Sequence, residues 1–223
     1  MKHLVFLDES GVRNNMTRRY GRARGGSRCC DAVIAGRVLS MTIVSSIRLD
    51  GTTESFVFEG ALTKTIFEVY VQKILAPSLR EGDIVIMDNL SSHKSQVAEE
   101  VIRSRKAKVL FLPAYSPDLN PIEKMWSKVK QLLRGIRAKT IEEIYSGIKR
   151  ALSAVSARDA QGWFISCGYK SFQSGNALEH LQFETLRVSN HTACRFAEKT
   201  RFFRSLWAGR RCAAASRFHL FQR

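Results

Sequence analysis

Three acids stand where carboxylates could work together: Asp8, Asp88 and Glu123. Asp8 follows the apolar run Leu4-Val5-Phe6-Leu7, and Asp88 follows Ile84-Val85-Ile86-Met87. Short, continuously apolar runs mark strands buried on both faces. Glu123 falls in the first turn of a helix reached from a third such run, Val109-Leu110-Phe111-Leu112, within the stretch LFLPAYSPDLNPIEKMW. Carboxylates that meet repel one another unless they keep protons or share cations. Oxygen-only ligation with open positions suits magnesium or manganese. Two such ions ~3.5–4 Å apart can activate a water or a 3′-hydroxyl and stabilise the leaving oxygen in phosphodiester displacement. Singly, each acid has an ordinary alternative. Asp8 and Asp88 could open loops after strands, and Glu123 could complete a capping box with Asn120, with Pro121 at the first helical position.

The elements that must position these acids are readable from periodicity. Met41-Thr42-Ile43-Val44 with Ile47, the turn pair Asp50-Gly51 and Phe56-Val57-Phe58 predict a hairpin. From Thr63 the period becomes helical, and the helix is expected to stop before Pro77. A second helix over Val97–Arg103 is expected to turn Val97 and Val101 to one face. After Asn120, Ile122, Trp126, Val129 and Leu133 form a core-facing stripe, with Lys124, Lys128 and Lys130 off it. Thr140-Ile141-Glu142-Glu143 is a capping box, with Ile144, Ile148 and Leu152 on the buried side of the helix it opens. Trp163 to Tyr169 reads as a short closing segment, and residues 32–39 stay unassigned. The result is a mixed sheet with helices packed on it. In such sheets sites lie beyond strand ends near a topological switch point. If the first and fourth strands are neighbours, Asp8 and Asp88 lie side by side within reach of Glu123.

Charge says what the partner is. A net charge of +16 and a pI near 10.1 point to a polyanion. Between Arg13 and Arg28 the chain carries Arg13, Arg18, Arg19, Arg22, Arg24 and Arg28 with no acid, a basic loop suited to phosphate contacts. At 44% hydrophobic the chain can bury a core, so disorder throughout is excluded. Cys29, Cys30, Cys167, Cys194 and Cys212 form no C-x-x-C pair, so neither a zinc site nor a disulfide framework is suggested, and a reduced compartment fits. No apolar run approaches the ~18–20 residues that span a bilayer.

The segments VFLDES (5–10), IVIMDNLSSHK (84–94) and LFLPAYSPDLNPIEKMWSKVK (110–130) resemble the catalytic core of DDE transposases, in the bacterial insertion-sequence branch of the mariner superfamily. Residues 89 to 122, 34 in all, separate the last two acids, a spacing characteristic of that branch. The resemblance runs to about Tyr169. It implies a ribonuclease-H-like α/β fold, a five-stranded mixed sheet flanked by helices over residues 1–169. Asp8, Asp88 and Glu123 would then be the catalytic triad, holding Mg2+ or Mn2+, two ions in all. The implied reaction is hydrolysis at the ends of a mobile element, then attack of the freed 3′-hydroxyl on target DNA. Asn89, His93 and Asn120 also match family positions and would support the site. His93 would order its loop or contact phosphate; the alternative is a loop histidine satisfied by backbone. The implied partners are double-stranded DNA, as transposon ends and target, and a second copy of the chain on it, in a bacterial cytoplasm at the nucleoid. Besides the arginine loop, Lys124 and Lys128 are the candidate DNA contacts.

Members of that family ordinarily carry N-terminal helix-turn-helix domains, whereas here the first catalytic strand opens the chain. The expectation is a second reading frame whose helix-turn-helix part is separately encoded, or a truncated remnant. Residues 171–223 hold nine Lys/Arg against three Asp/Glu and seven of the thirteen phenylalanines. Without periodicity, residues 170–223 read as an irregular basic tail of out-of-frame or read-through character. Two readings from different classes follow: a metal-dependent DNA endonuclease of the transposase type, or a non-autonomous DNA-binding fragment that inhibits or complements full-length transposase.

Overall fold

A computed structural model describes residues 2–18, 20–30 and 38–169. The expectations for Arg19, for residues 31–37 and for the tail 170–223 lie outside the described residues. Five strands form one mixed sheet in the order β3-β2-β1-β4-β5. They are β1 (Leu4–Arg13), β2 (Ser40–Arg48), β3 (Thr53–Glu59), β4 (Ile84–Met87) and β5 (Lys108–Phe111). The β2–β3 hairpin turns at Asp50-Gly51, where Gly51 has φ +85°. A Cβ there would also lie 2.9 Å from the Ala157 nitrogen, so both conformation and close approach require glycine.

The first and fourth strands are neighbours, as the site requires. β1 runs parallel to β4 with Leu4 opposite Ile84 and Phe6 opposite Ile86. Continuing that register by two residues sets Asp8 beside Asp88. One expectation is corrected: Asp8 does not end its strand. β1 continues to Arg13 because β2 supplies an antiparallel partner for every residue from Val5 onward, while pairing with β4 stops at Phe6. Asp8 therefore sits mid-strand, at the point where one of its two neighbours has left.

Alternation along β1 feeds two helical layers. Val5 and Leu7 join Val85 and Met87 in a core covered by Phe67, Tyr70, Val71, Leu75, Ala98 and Ile102. These come from α1 (Lys64–Tyr70) with its continuation and from α3 (Gln96–Ser104). Phe6 points the other way, onto Phe164 (5.3 Å between ring centroids) and Tyr169 (5.0 Å). That layer is built from α4 (Pro121–Ile136), α5 (Ile141–Ser153) and α6 (Ala157–Ser166). The predicted stripe Ile122, Trp126, Val129 and Leu133 is buried, joined by Met125, and the Thr140–Glu143 capping box forms.

Three local expectations shift. The first helix passes Pro77: a π-helical segment (Val71–Leu75), in which the Ala76 N–H reaches back to the Val71 carbonyl, leads into a last turn α2 (Ala76–Ser78). The wider π register accommodates a ring that would clash in an unbroken α-helix. On α3 the core face carries Ala98 and Ile102; Val101 packs at its edge, and Val97 is 43% exposed. The closing segment is a full helix, α6, opened by a capping box of Ser156 and Asp159.

Candidate active site

Asp8 lies on the α4 face of β1, buried to 7% exposure. Its Oδ1 accepts the Glu9 N–H (2.8 Å), and its Oδ2 faces the Asn120 Nδ2 at 3.4 Å. Burial, then the charges of Glu9 and Glu123, push its carboxyl up from 3.8 to about 7; Asp88 adds to the rise, and the Glu9 N–H opposes it. The fields of the other two sequence-predicted acids, Glu123 and Asp88, thus reach one buried carboxyl together with that of Glu9.

Asp88 leaves β4 into a short turn over Ser91–His93. Its Oδ1 accepts from the Leu90 N–H (3.0 Å) and from His93 Nδ1 (2.6 Å). These bonds hold its carboxyl below the usual range: the His93 bond is the largest influence, burial opposes it, and the Leu90 N–H and the His93 charge lower it further. Both of these bonds use Oδ1, and neither engages Oδ2.

Glu123 resolves in favour of availability. Asn120 is the N-cap of α4, but its side chain makes no capping bond; only its carbonyl accepts, from the Glu123 N–H (3.2 Å). No described residue hydrogen-bonds or pairs with the Glu123 carboxylate, which is exposed on the first turn. Asn120 itself, 4% exposed, turns its amide to Asp8 and leaves Oδ1 buried without a partner. The turn that delivers it is pinned from within the same layer, where the Tyr169 hydroxyl, just past α6, donates to the Leu119 carbonyl (2.9 Å). Asn89 ties the two strand exits together, its Nδ2 donating to the Leu112 carbonyl (2.8 Å).

His93 is not a loop histidine satisfied by backbone. It is 1% exposed, with Nδ1 on Asp88 and Nε2 3.0 Å from Glu9 Oε2. That second contact is an ion pair rather than an aligned hydrogen bond, since neither atom has a hydrogen-bond partner. Burial disfavours the imidazolium, but the Asp88 and Glu9 carboxylates outweigh it and push the ring up to about 9. Glu9 is the residue that sequence reasoning passed over. It stands next to Asp8 in VFLDES, and only the fold brings it to His93.

Among the described residues, no three Asp, Glu, His or Cys side chains form a ready-made metal cage. The donor set still fits a hard divalent cation. It is all oxygen, Asp8 carries a repulsion that a positive charge would relieve, and Asn120 Oδ1 lacks a partner.

The cationic residues divide into two groups. Arg13, Arg18, Arg22, Arg24 and Arg28 are exposed, as is Lys124 on α4. Lys128 is put to another use: its Nζ binds Asp159 Oδ2 (2.6 Å) and the Ala154 carbonyl (2.8 Å), fastening α4 to α6. A shallow cavity of about 370 Å³ between α4 and α5, lined by Arg137, Lys139, Glu143 and Arg150, includes none of the three acids.

The family model described as DDE superfamily endonuclease matches residues 3–145, which include Asp8, Asp88 and Glu123. The chain belongs to the DDE superfamily endonucleases. Among curated relatives of this DDE endonuclease, the Tcb1 transposase of Caenorhabditis briggsae is 29% identical over 108 residues, 48% of this chain and 38% of the relative. The Tc1 transposase of Caenorhabditis elegans is 28% identical over the same shares. The chain thus spans 38% of the length of the curated relatives it matches. The Mos1 strand transfer complex superposes with a TM-score of 0.61 at 16% identity, covering 74% of this chain and 52% of that one. Mos1 paired-end complexes with Mn and with Mg each give 0.57, at 14% and 13% identity, covering 74% and 77% of this chain and 52% and 57% of those. The ribonuclease-H-like sheet expected from the sequence is the fold the DDE endonuclease has. Among the described residues, no helix is long and apolar enough to cross a membrane.

Proposed function

We propose that this chain is the catalytic part of an insertion-sequence transposase of the bacterial branch of the mariner superfamily. It would cut DNA at the ends of a mobile element and join the freed 3′-hydroxyl to target DNA. The observation that carries this reading is the register of the parallel strands β1 and β4, which carried on by two residues sets Asp8 beside Asp88; the Asp8 carboxyl there is raised by burial first and then by Glu9, Glu123 and Asp88. A carboxyl so placed favours an added positive charge. Asp8, Asp88 and Glu123 would hold magnesium or manganese, two ions in all, in line with the Mg and Mn complexes of Mos1. Bound there, the cations would supply Lewis acidity and charge neutralisation at a phosphodiester. The chain's own residues prepare the site. Asn120 and the Glu9 N–H orient Asp8, and His93 and the Leu90 N–H orient Asp88. Glu123 would reach in from the first turn of α4, and the exposed arginines and Lys124 would take up DNA phosphates. The Mos1 paired-end complex with a transposon end supports DNA ends as substrate, and holding two ends together would engage two copies of the chain.

Incubating the chain with supercoiled plasmid and Mg2+ or Mn2+, beside Asp88→Ala, tests the proposal. Metal-dependent nicking that the variant loses is the expected result. Equal nicking by both proteins would refute the assignment of Asp88. Binding of DNA by both without nicking would favour the fragment that inhibits or complements a full-length transposase.

A further inference from the structure

The half-buried Glu9 and the buried His93 form an ionic cluster that the proposed chemistry does not itself consume. β1 presents Asp8 to the α4 layer, so the pleat sends Glu9 to the α1 layer. There Glu9 Oε2 lies 3.0 Å from His93 Nε2, and His93 Nδ1 lies 2.6 Å from Asp88 Oδ1. The His93 ring rests on Phe67, 4.8 Å between centroids, which fixes its plane. Its backbone is held too: His93 N–H donates to the Leu90 carbonyl and Ser95 N–H to the His93 carbonyl, each at 3.0 Å.

Charges gathered around a buried imidazole are a poor way to gain stability, since apolar residues of similar volume often do better. What this one supplies is direction. A carboxylate–histidine pair behind a metal ligand sets that ligand's orientation and basicity. We infer that Glu9 is a positioning residue: through His93 it fixes the rotation of the Asp88 carboxylate, tying Oδ1 inward and presenting Oδ2 to the site. The inference rests on the proposal that Asp88 is a metal ligand. It also links the two aspartates through a single residue. The Glu9 N–H holds Asp8 Oδ1 (2.8 Å), and the Glu9 side chain reaches Asp88 by way of His93.

Mn2+ binding to the full chain, followed by the electron paramagnetic resonance of the free ion, tests this without recourse to activity. Glu9→Ala should weaken Mn2+ binding by roughly 10–100-fold, the usual effect of losing such a supporting partner. Glu9→Gln keeps the side-chain volume and an oxygen that a small rotation aligns with Nε2, and should recover most of the loss. Asp88→Ala separates the two ideas. If it leaves Mn2+ affinity unchanged, the metal-ligand reading fails; if it abolishes binding while folded Glu9→Ala binds like wild type, the positioning role fails. Equal losses in Glu9→Ala and Glu9→Gln would assign the effect to charge and overturn positioning. Should Glu9→Ala not fold, Glu9→Asp decides, since it keeps the charge and shortens the reach to His93. Weaker Mn2+ binding is expected, and wild-type binding would overturn the inference.

Discussion

Asp8→Asn should make the metal-free chain more stable while removing its metal binding. Asp8 is 7% exposed, and its carboxyl titrates at about 7 instead of 3.8, through burial first and then Glu9 and Glu123. A carboxyl whose pKa is raised on folding holds its proton more tightly in the folded state. Metal-free stability therefore falls as pH rises from about 4 to 7, and the full penalty is present above the folded pKa. From 3.8 to about 7, at roughly 1.4 kcal/mol per pH unit, ionised Asp8 costs the fold on the order of 4 kcal/mol. Asparagine carries no charge and avoids that cost. Its oxygen can still accept the Glu9 N–H, and once the Asn120 amide flips its nitrogen can donate to Asn120 Oδ1.

Urea denaturation in chelator at pH 8 and pH 5 measures this directly. The gain from Asp8→Asn should be ~4 kcal/mol at pH 8 and less than about half of that at pH 5, where the wild-type carboxyl is mostly protonated. Adding Mn2+ should then stabilise wild type and leave the variant unmoved. A gain of the same size at both pH values would show that ionisation is not its source. No gain at pH 8 would refute the convergence of charge at Asp8.

Arg48→Ala should cost about 3–5 kcal/mol in the same assay, as expected for a buried pair that loses one partner. Asp83 is wholly buried and would lose its 2.7 Å bond from Arg48 Nη2, as would the Ser78 carbonyl at 2.9 Å. Lys128→Ala should cost about 1 kcal/mol, the scale of one lost hydrogen-bonded contact, and leave the salt dependence of DNA binding unchanged. Replacing Arg22 and Arg24 together should do the reverse, lowering the slope of log K against log salt by ~2 without altering stability. Tyr169→Phe removes the bond to the Leu119 carbonyl (2.9 Å); it should cost about 1 kcal/mol in urea denaturation.

Continuous apolar runs announced β4 and β5, and the Asp50-Gly51 turn announced the β2–β3 hairpin, because burial and turn chemistry are local signals. The second half of β1 was hidden by its own residues. Ser10 and Val12 alternate with Glu9, Gly11 and Arg13 as a strand should, but polar and flexible types mask the period. Local signals also located Asp8, Asp88 and Glu123. They could not choose between Glu123 as cap and Glu123 as a free acid, since that depends on where the Asn120 side chain turns, and it turns to Asp8 across the fold. Lys128 and Glu9 show the same limit from opposite sides. Nothing near Lys128 marks Asp159 as its partner, and nothing in VFLDES shows that His93 will close over Glu9.

The site belongs to neither helical layer alone. Adjacent residues of β1 serve opposite faces: Asp8 meets Asn120 and Glu123 from the α4 layer, and Glu9 meets His93, backed by Phe67, from the α1 layer. A register slip of one residue in β1 would exchange the two acids between the faces. The Phe6 cluster with Phe164 and Tyr169, and the Val5–Leu7 core on the other side, make such a slip costly, because every apolar residue of the strand would change layers with the acids. Hydrophobic packing therefore sets which carboxylate faces the site. α6 takes part in this although it holds none of the three acids, since it carries Phe164 against Phe6 and leads to Tyr169, whose hydroxyl holds the turn before Asn120.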